Sequence, residues 1–343
     1  MKRVPLDDLI RFGAAFLVKR GVPQANAAYL SRVVMETEAF RQTTHGLVQL
    51  EAMHEQIGEK LDPAAEPVLA RDRGSMALID GSRAFGNLAM KLAVEQGMSK
   101  ARTHGVAFVA VRRSEWVGAL GIHLIPIARQ GLLAHAWAQT SGCKDCAPFG
   151  GVEARFSTNP VALTFPTDGE PVLADFSTAT MSLGAAKRLA AQGKRTATPR
   201  FLDRDGQPTD DPGVMDHGGT LLFTGCDVEG YKAYGLSLFI EALTVLAGGS
   251  ANNPDVPAHQ AVCLLVLDPA SFGGADGYAE EMKRFIAHVR SARPRPDHGP
   301  VRLPGERGFA ALADCRRNGV PLDDAKLAML RRLAEAVGLE PVA

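Results

Sequence analysis

The chain has 343 residues, 46% hydrophobic and 22% charged, with 38 Lys+Arg balanced by 38 Asp+Glu. That composition fits a folded protein and excludes a disordered one, and zero formal charge argues against a basic nucleic-acid surface. No run approaches the roughly 20 apolar residues that cross a bilayer, and Met1-Lys2-Arg3 leads to Pro5, Asp7 and Asp8 without an apolar stretch, so a cytoplasmic globular protein is expected.

Leu6, Leu9, Ile10, Phe16 and Leu17 recur at helical spacing, and Gly21 with Pro23 ends that first helix. Leu30, Val33, Val34, Thr37 and Phe40 continue one face of a second. A third carries Leu47, Leu50, Met53 and Ile57, with Thr44 placed to cap its start. Asp62-Pro63 and Pro67 mark a linker. Short apolar runs follow at Met76–Ile79, Val106–Val111, Leu132–Ala138, Val161–Phe165, Val172–Ala174 and Val262–Leu267, each the length of a buried strand. Helical stretches fall near 86–103, 119–130 and 235–247, and a last helix is expected over 322–337 after Pro294, Pro296, Pro300 and Pro304. The expected fold class is α/β: one mixed-sheet core flanked by helices.

Five scattered Cys read as reduced thiols. Cys143-Lys-Asp-Cys146 has ligand spacing, but no second pair completes a zinc site and Pro148 with Gly150-Gly151 make the segment a loop, so no metal is expected. Asp203–Pro212 is acidic but lacks calcium-loop spacing and reads as a surface turn. GxGxxG, GxxxxGK[ST], GxSxG and HExxH are all missing from the sequence.

Candidate chemistry starts at Thr43-Thr44-His45-Gly46-Leu47-Val48-Gln49. If the helix begins there, His45 and Gln49 share a face, and the positive helix end favours neutral imidazole. The residue types allow an acid–base His or a capped helix start with an incidental one. Gly118-Ala-Leu-Gly121 follows a strand and opens a helix, so its N–H groups can receive an anion or simply make a tight turn. Lys232, in Gly230-Tyr-Lys-Ala-Tyr-Gly-Leu236, stands at a helix entrance as an anion holder or as a solvated Lys.

The order of these segments resembles the malate/L-lactate dehydrogenase type 2 family, with its ureidoglycolate, sulfolactate, diketogulonate and cyclic-imine enzymes. It runs through Thr44-His45-Gly46-Leu47, Ile79-Asp-Gly81, Ser114–Gly121, Ala147-Pro-Phe-Gly-Gly151, Ser157-Thr-Asn-Pro160, Asp175-Phe-Ser-Thr178, Tyr231–Leu236 and Leu303-Pro-Gly-Glu306. The resemblance implies a non-Rossmann NAD(P)-binding fold: a helical segment over 1–74 carrying the proton donor, an α/β cofactor core over 75–292, and a C-terminal segment over 293–343 packed on the N-terminal helices. It implies a homodimer, NAD or NADP as cofactor, and hydride transfer to a small 2-oxo acid or cyclic 2-imino acid. His45 matches the proton donor, with Thr44 beside it. Cofactor contacts are expected at Trp116, Val117, Gly118, Ala119 and Leu120, at Asp175, Phe176 and Ser177, at Lys232 and Ala233, and at Pro304, Gly305 and Glu306. Gln49, Thr158, Leu183 and Gly184 fall to the substrate.

The departures from that pattern are specific. Gln49 stands where the family has an Arg, Glu115-Trp116 where it has Asn-His, and Ala185 where a Lys or Asp is common; Lys187 comes two residues later. Gln49 offers amide N–H groups but no charge, so the expectation is a pocket less cationic and more apolar than in relatives. A member that keeps the fold and binds a cofactor or metabolite without turnover is the alternative.

Overall fold

The computed structural model describes residues 1–253 and 255–342. Three helices open the chain after β1 (Lys2–Val4): α1 (Leu6–Lys19), α2 (Gln24–Ala39) and α3 (Val48–Gln56). The main sheet is built from β2 (Val68–Arg73), β3 (Met76–Asp80), β4 (Val106–Ser114), β5 (Leu133–Thr140), β6 (Pro160–Phe165), β7 (Val172–Ser177) and β11 (Gln260–Leu267). Its helices are α4 (Gly86–His104), a 3₁₀ turn over Gly121–Leu124 leading into α5 (Ile125–Arg129), and α7 (Cys226–Val245). Between β7 and α7 lie α6 (Leu183–Ala191) and the small strands β8 (Phe201–Leu202), β9 (Pro208–Thr209) and β10 (Thr220–Leu221). The chain ends with α8 (Ala275–Arg290), α9 (Glu306–Asn318), β12 (Val320–Leu322) and α10 (Asp324–Val337).

The seven strands run β2-β3-β4-β11-β5-β6-β7, and only β3 and β4 pair in parallel. Side-chain alternation along β4 decides what covers each face. Ala107, Val109 and Val111 join the main core with α4, while Phe108 and Ala110 meet Ile240 and Leu243 of α7. β11 divides the same way: Val262, Leu264 and Val266 go to α4, Cys263 and Leu265 to α7. The result is a helix–sheet–helix sandwich. α4 lies so close to the sheet that a Cβ at Gly97 would come within 2.9 Å of Val266. The chain ends meet where β1 pairs antiparallel with β12, and α1, α2 and α3 share one core with α9 and α10.

The six apolar runs are strands, as their length indicated. The helical signal was less exact. The third N-terminal helix starts at Val48 and Thr44 does not cap it; the segment near 119–130 is a 3₁₀ turn plus a short helix; α7 begins at Cys226, well before 235. The main sheet takes in Val68–Arg73, upstream of residue 75, because Val68 and Leu69 pair with Asp80 and Ile79. Asp203–Gly206 is the turn joining β8 to β9, closed by Asp203 Oδ1 accepting from Asp205 and Gln207. No His/Cys/Asp/Glu cluster able to hold a metal occurs among the described residues.

Candidate active site

The turn between α2 and α3 carries His45, and a buried carboxylate holds it in place. Glu38 Oε2 accepts from the Leu47 N–H at 3.0 Å, while Oε1 lies 2.5 Å from Lys326 Nζ on α10. Only glycine fits at 46, where a Cβ would fall 2.7 Å from the Glu38 Cα. His45 donates its backbone N–H to Gln42 O at 2.9 Å and so precedes α3 instead of starting it. His45 and Gln49 therefore do not share a helical face. Thr44 Oγ1 is 2.8 Å from His45 Nδ1, and the ring packs on Trp116 at 5.0 Å between centroids. Burial, not a helix end, pushes the imidazole down to about 4, which leaves it neutral at pH 7.

Trp116 sits in an irregular segment after β4 that is tied down on several sides. Val117 N donates to Gln260 Oε1 at 2.8 Å; Val117 O accepts from Asn87 Nδ2 at 3.1 Å and lies 2.9 Å from His123 Nε2. The start of α4 presses on the same segment: a Cβ at Gly86 would lie 2.1 Å from Glu115 O and 2.6 Å from Trp116 O. Val117, Ala119 and Leu120 bury their side chains in the main core. Gly118 takes a φ of 78°, a left-handed value suited to glycine. The anion at Gly121 is the chain's own, since its N–H donates to Asp175 Oδ2 at 2.9 Å. Gln42 Nε2 reaches that same oxygen at 2.9 Å, and burial still lifts the Asp175 carboxyl above its usual range.

Arg41–Thr44 form a ridge between two clefts. The first, about 950 Å³, is walled by Arg41, Gln42, Asp175, Arg302, Gly305 and Arg307. Pro304 O accepts from Leu173 N at 3.1 Å and Gly305 caps α9 with a φ of 94°, which places this turn beside β7; Glu306 pairs with Arg290. The second, about 700 Å³, is lined by Arg41, Thr43, Thr44, Gly184, Arg188 and Lys326. The start of α6 abuts the ridge, with a Cβ at Gly184 falling 3.5 Å from the Thr44 Cβ. Gln49 is buried and lines a third space, a crevice of about 10 Å³ shared with Met53, Phe85, Glu115 and the same Trp116 that packs on His45.

The remaining candidates are dispersed. Leu183, at the head of α6, is half-buried, and Phe176 is exposed on β7. Ser177 turns its hydroxyl to Ala179 O at 2.8 Å. Thr158 is half-buried, its carbonyl accepting from Thr178, beside an Asn159 fixed by Ser237 and Glu241. Lys232 pairs with Glu229 in its own helix, Ala233 packs beside Phe156 and Phe223, and neither lines the two clefts. The charge of Lys187 acts on Asp145, whose carboxyl burial lifts to about 6. Sequence reasoning did not single out Glu38, Arg41, Gln42, Asn87, Arg188 or Gln260, whose roles arise from contacts as distant as the 288 residues between Glu38 and Lys326.

A neutral histidine beside two open clefts on an α/β frame is the arrangement of a small-molecule enzyme. The comparisons with known proteins make this specific. The profile of the malate/L-lactate dehydrogenase family matches residues 4–331, and the chain belongs to that family. It is thus an oxidoreductase of the malate/L-lactate dehydrogenase kind. The malate dehydrogenase of Pyrococcus abyssi (strain GE5 / Orsay) is 29% identical over 98% of this chain and 96% of its own length. The Delta(1)-pyrroline-2-carboxylate/Delta(1)-piperideine-2-carboxylate reductase of Pseudomonas syringae pv. tomato is 30% identical over 80% of this chain and 79% of its own. The solved malate dehydrogenase of Pyrococcus horikoshii OT3 superposes with a TM-score of 0.89 at 26% identity, covering 99% of this chain and 97% of that one.

Proposed function

We propose that this chain is an NAD(P)-dependent oxidoreductase that interconverts a small 2-oxo acid and its 2-hydroxy acid, or reduces a cyclic 2-imino acid, with His45 exchanging the proton. The observation that carries the proposal is the His45 site: a neutral imidazole oriented through Nδ1 by Thr44 and backed by Trp116, next to the Arg41–Thr44 ridge between two clefts. The first cleft fits a dinucleotide in size and chemistry. Its volume is within the range of about 300–1,000 Å³ of ligand sites, and Arg302 and Arg307 are suited to hold phosphates. Bound nicotinamide supplies the hydride. The missing GxGxxG and a sheet with one parallel pair support a non-Rossmann site.

The chain's own residues handle the proton. The Thr44 hydroxyl can accept from Nδ1–H in both states of the ring, so that Nε2 takes a proton when the imidazole is neutral and gives one up when it is charged. One hydrogen bond thus serves both directions of reaction. Trp116 presents an apolar wall to the ring and keeps water off it. The substrate classes follow the relatives' names, malate and lactate on one side and pyrroline- and piperideine-carboxylate on the other. A homodimer in the cytoplasm completes the proposal, on the strength of the family resemblance.

The test is a titration of the protein with NADH and NADPH, read by tryptophan fluorescence, followed by turnover on a panel of 2-oxo and cyclic 2-imino acids. Saturable quenching and a turnover abolished by His45→Ala are expected. Quenching without turnover on any panel member favours the metabolite-binding alternative. No cofactor binding at millimolar concentration rejects the proposal.

A further inference from the structure

We propose that Arg188 is the residue that binds the substrate carboxylate in this chain. The inference rests on the oxidoreductase reading above and names the group that selects an anionic substrate. Position 49 cannot do so. Gln49 is uncharged and faces a crevice of about 10 Å³ closed by Phe85, Met53 and Trp116. The open volume on the substrate side is the cleft of about 700 Å³ that touches Thr44.

Of the cations lining that cleft, Lys326 is held by the buried Glu38 carboxylate. Arg188 is differently engaged. It lies one helical turn beyond Gly184, on the face of α6 that meets the ridge, and its Nη1 donates to Thr43 Oγ1 at 3.0 Å. This neutral hydroxyl fixes one arm of the guanidinium two residues before His45, and no carboxylate among the described residues pairs with it. A planar guanidinium anchored at one nitrogen still presents a fork of N–H donors matched to a carboxylate. Arg41 reaches the same cleft from a left-handed φ of 69°, but it also borders the larger cleft and so stands nearer the dinucleotide's side.

The experiment is calorimetric binding of oxamate, a non-reducible analogue of a 2-oxo acid, and of its uncharged ethyl ester, to wild-type protein, Arg188→Ala, Arg188→Lys and Arg41→Ala, with NADH present. The exposed position of Arg188 allows substitution with little change in melting temperature. Arg188→Ala should weaken oxamate about 10- to 100-fold, leave the ester unchanged, and be partly rescued by Lys. The same substitution should raise KM for a carboxylate substrate by a similar factor, with kcat nearly constant. Equal oxamate affinity in wild type and Arg188→Ala, no oxamate binding by wild type, or a loss confined to Arg41→Ala overturns the proposal. Arg188-dependent oxamate binding without turnover of any substrate instead counts against the oxidoreductase reading alone.

Discussion

On the proposed role of His45 as proton carrier, its protonation state sets the direction in which the free site is prepared to work. Burial alone pushes its pKa down to about 4, with no charged neighbour offsetting it, and the group on Nδ1 is a neutral hydroxyl. The ratio of imidazolium to imidazole at pH 7 is then 10^(4 − 7), about 1 in 1,000. Reduction of a carbonyl needs the charged form as donor, and oxidation needs the neutral form as acceptor. The expected result is a kcat/KM for reduction that rises about tenfold per unit as pH falls from 8 to 5. In the oxidation direction kcat/KM should stay level from about pH 8 down to 5. Steady-state kinetics in both directions over this range, with cofactor saturating, measures both profiles. A reduction profile that is level between pH 6 and 8 would refute the reasoning, since it requires a donor already charged near neutrality.

Two further predictions concern how the site is held. Gly86→Ala forces a methyl to within 2.1 Å of Glu115 O, so the Trp116 segment or α4 must move by about an ångström; a loss of about 1–3 kcal/mol is expected, with a shifted tryptophan emission, and denaturant unfolding without either change would count against the close packing. Acid should destabilise the fold through its neutral histidines. His45 and His123 both titrate at about 4 in the native state against 6.5 unfolded, so between those values the unfolded chain binds more protons. Stability is then full above pH 6.5 and is lost as pH falls toward 4, with a slope approaching about 1.4 kcal/mol per pH unit for each histidine. Urea midpoints at pH 7.5, 6 and 5 check this, and equal midpoints would exclude it.

The sheet was legible in the sequence because strands covered on both faces must be apolar at nearly every position, and Val106–Val111 and Val262–Leu267 are. β2 was not legible, because Val68–Arg73 is a largely exposed edge with Arg71, Asp72 and Arg73 in place of an apolar run. α8 was missed for a related reason: its exposed Phe285 and scattered charges leave Ile286 as its buried residue. At the site, the motif around His45 located the imidazole and Thr44, whose contact is local. What holds these segments in place is not local. Glu38, Gln260 and Asp175 act across 9, 143 and 54 residues on Leu47, Val117 and Gly121. No spacing rule reports such contacts.

Gln49 is where the structure changes the meaning of a sequence difference. Read along the chain, Gln in place of Arg is a lost carboxylate clamp, and restoring Arg would be expected to improve anionic substrates. The crevice around Gln49 argues otherwise. It has about 10 Å³ free between Phe85, Met53 and Trp116, so the longer side chain has no open volume to enter. The group it would meet there is Glu115, largely shielded from solvent, which would pair with the guanidinium and remove it from any substrate. Gln49→Arg should therefore cost about 1–3 kcal/mol in overpacking and leave KM for 2-oxo acids unchanged. Thermal unfolding and steady-state kinetics on the one variant measure both. A tenfold lower KM with undiminished stability would mean that the crevice opens onto the substrate, and would return the clamp to position 49. The cleft of about 700 Å³ beside Thr44 and Arg188 has the open volume that this crevice lacks.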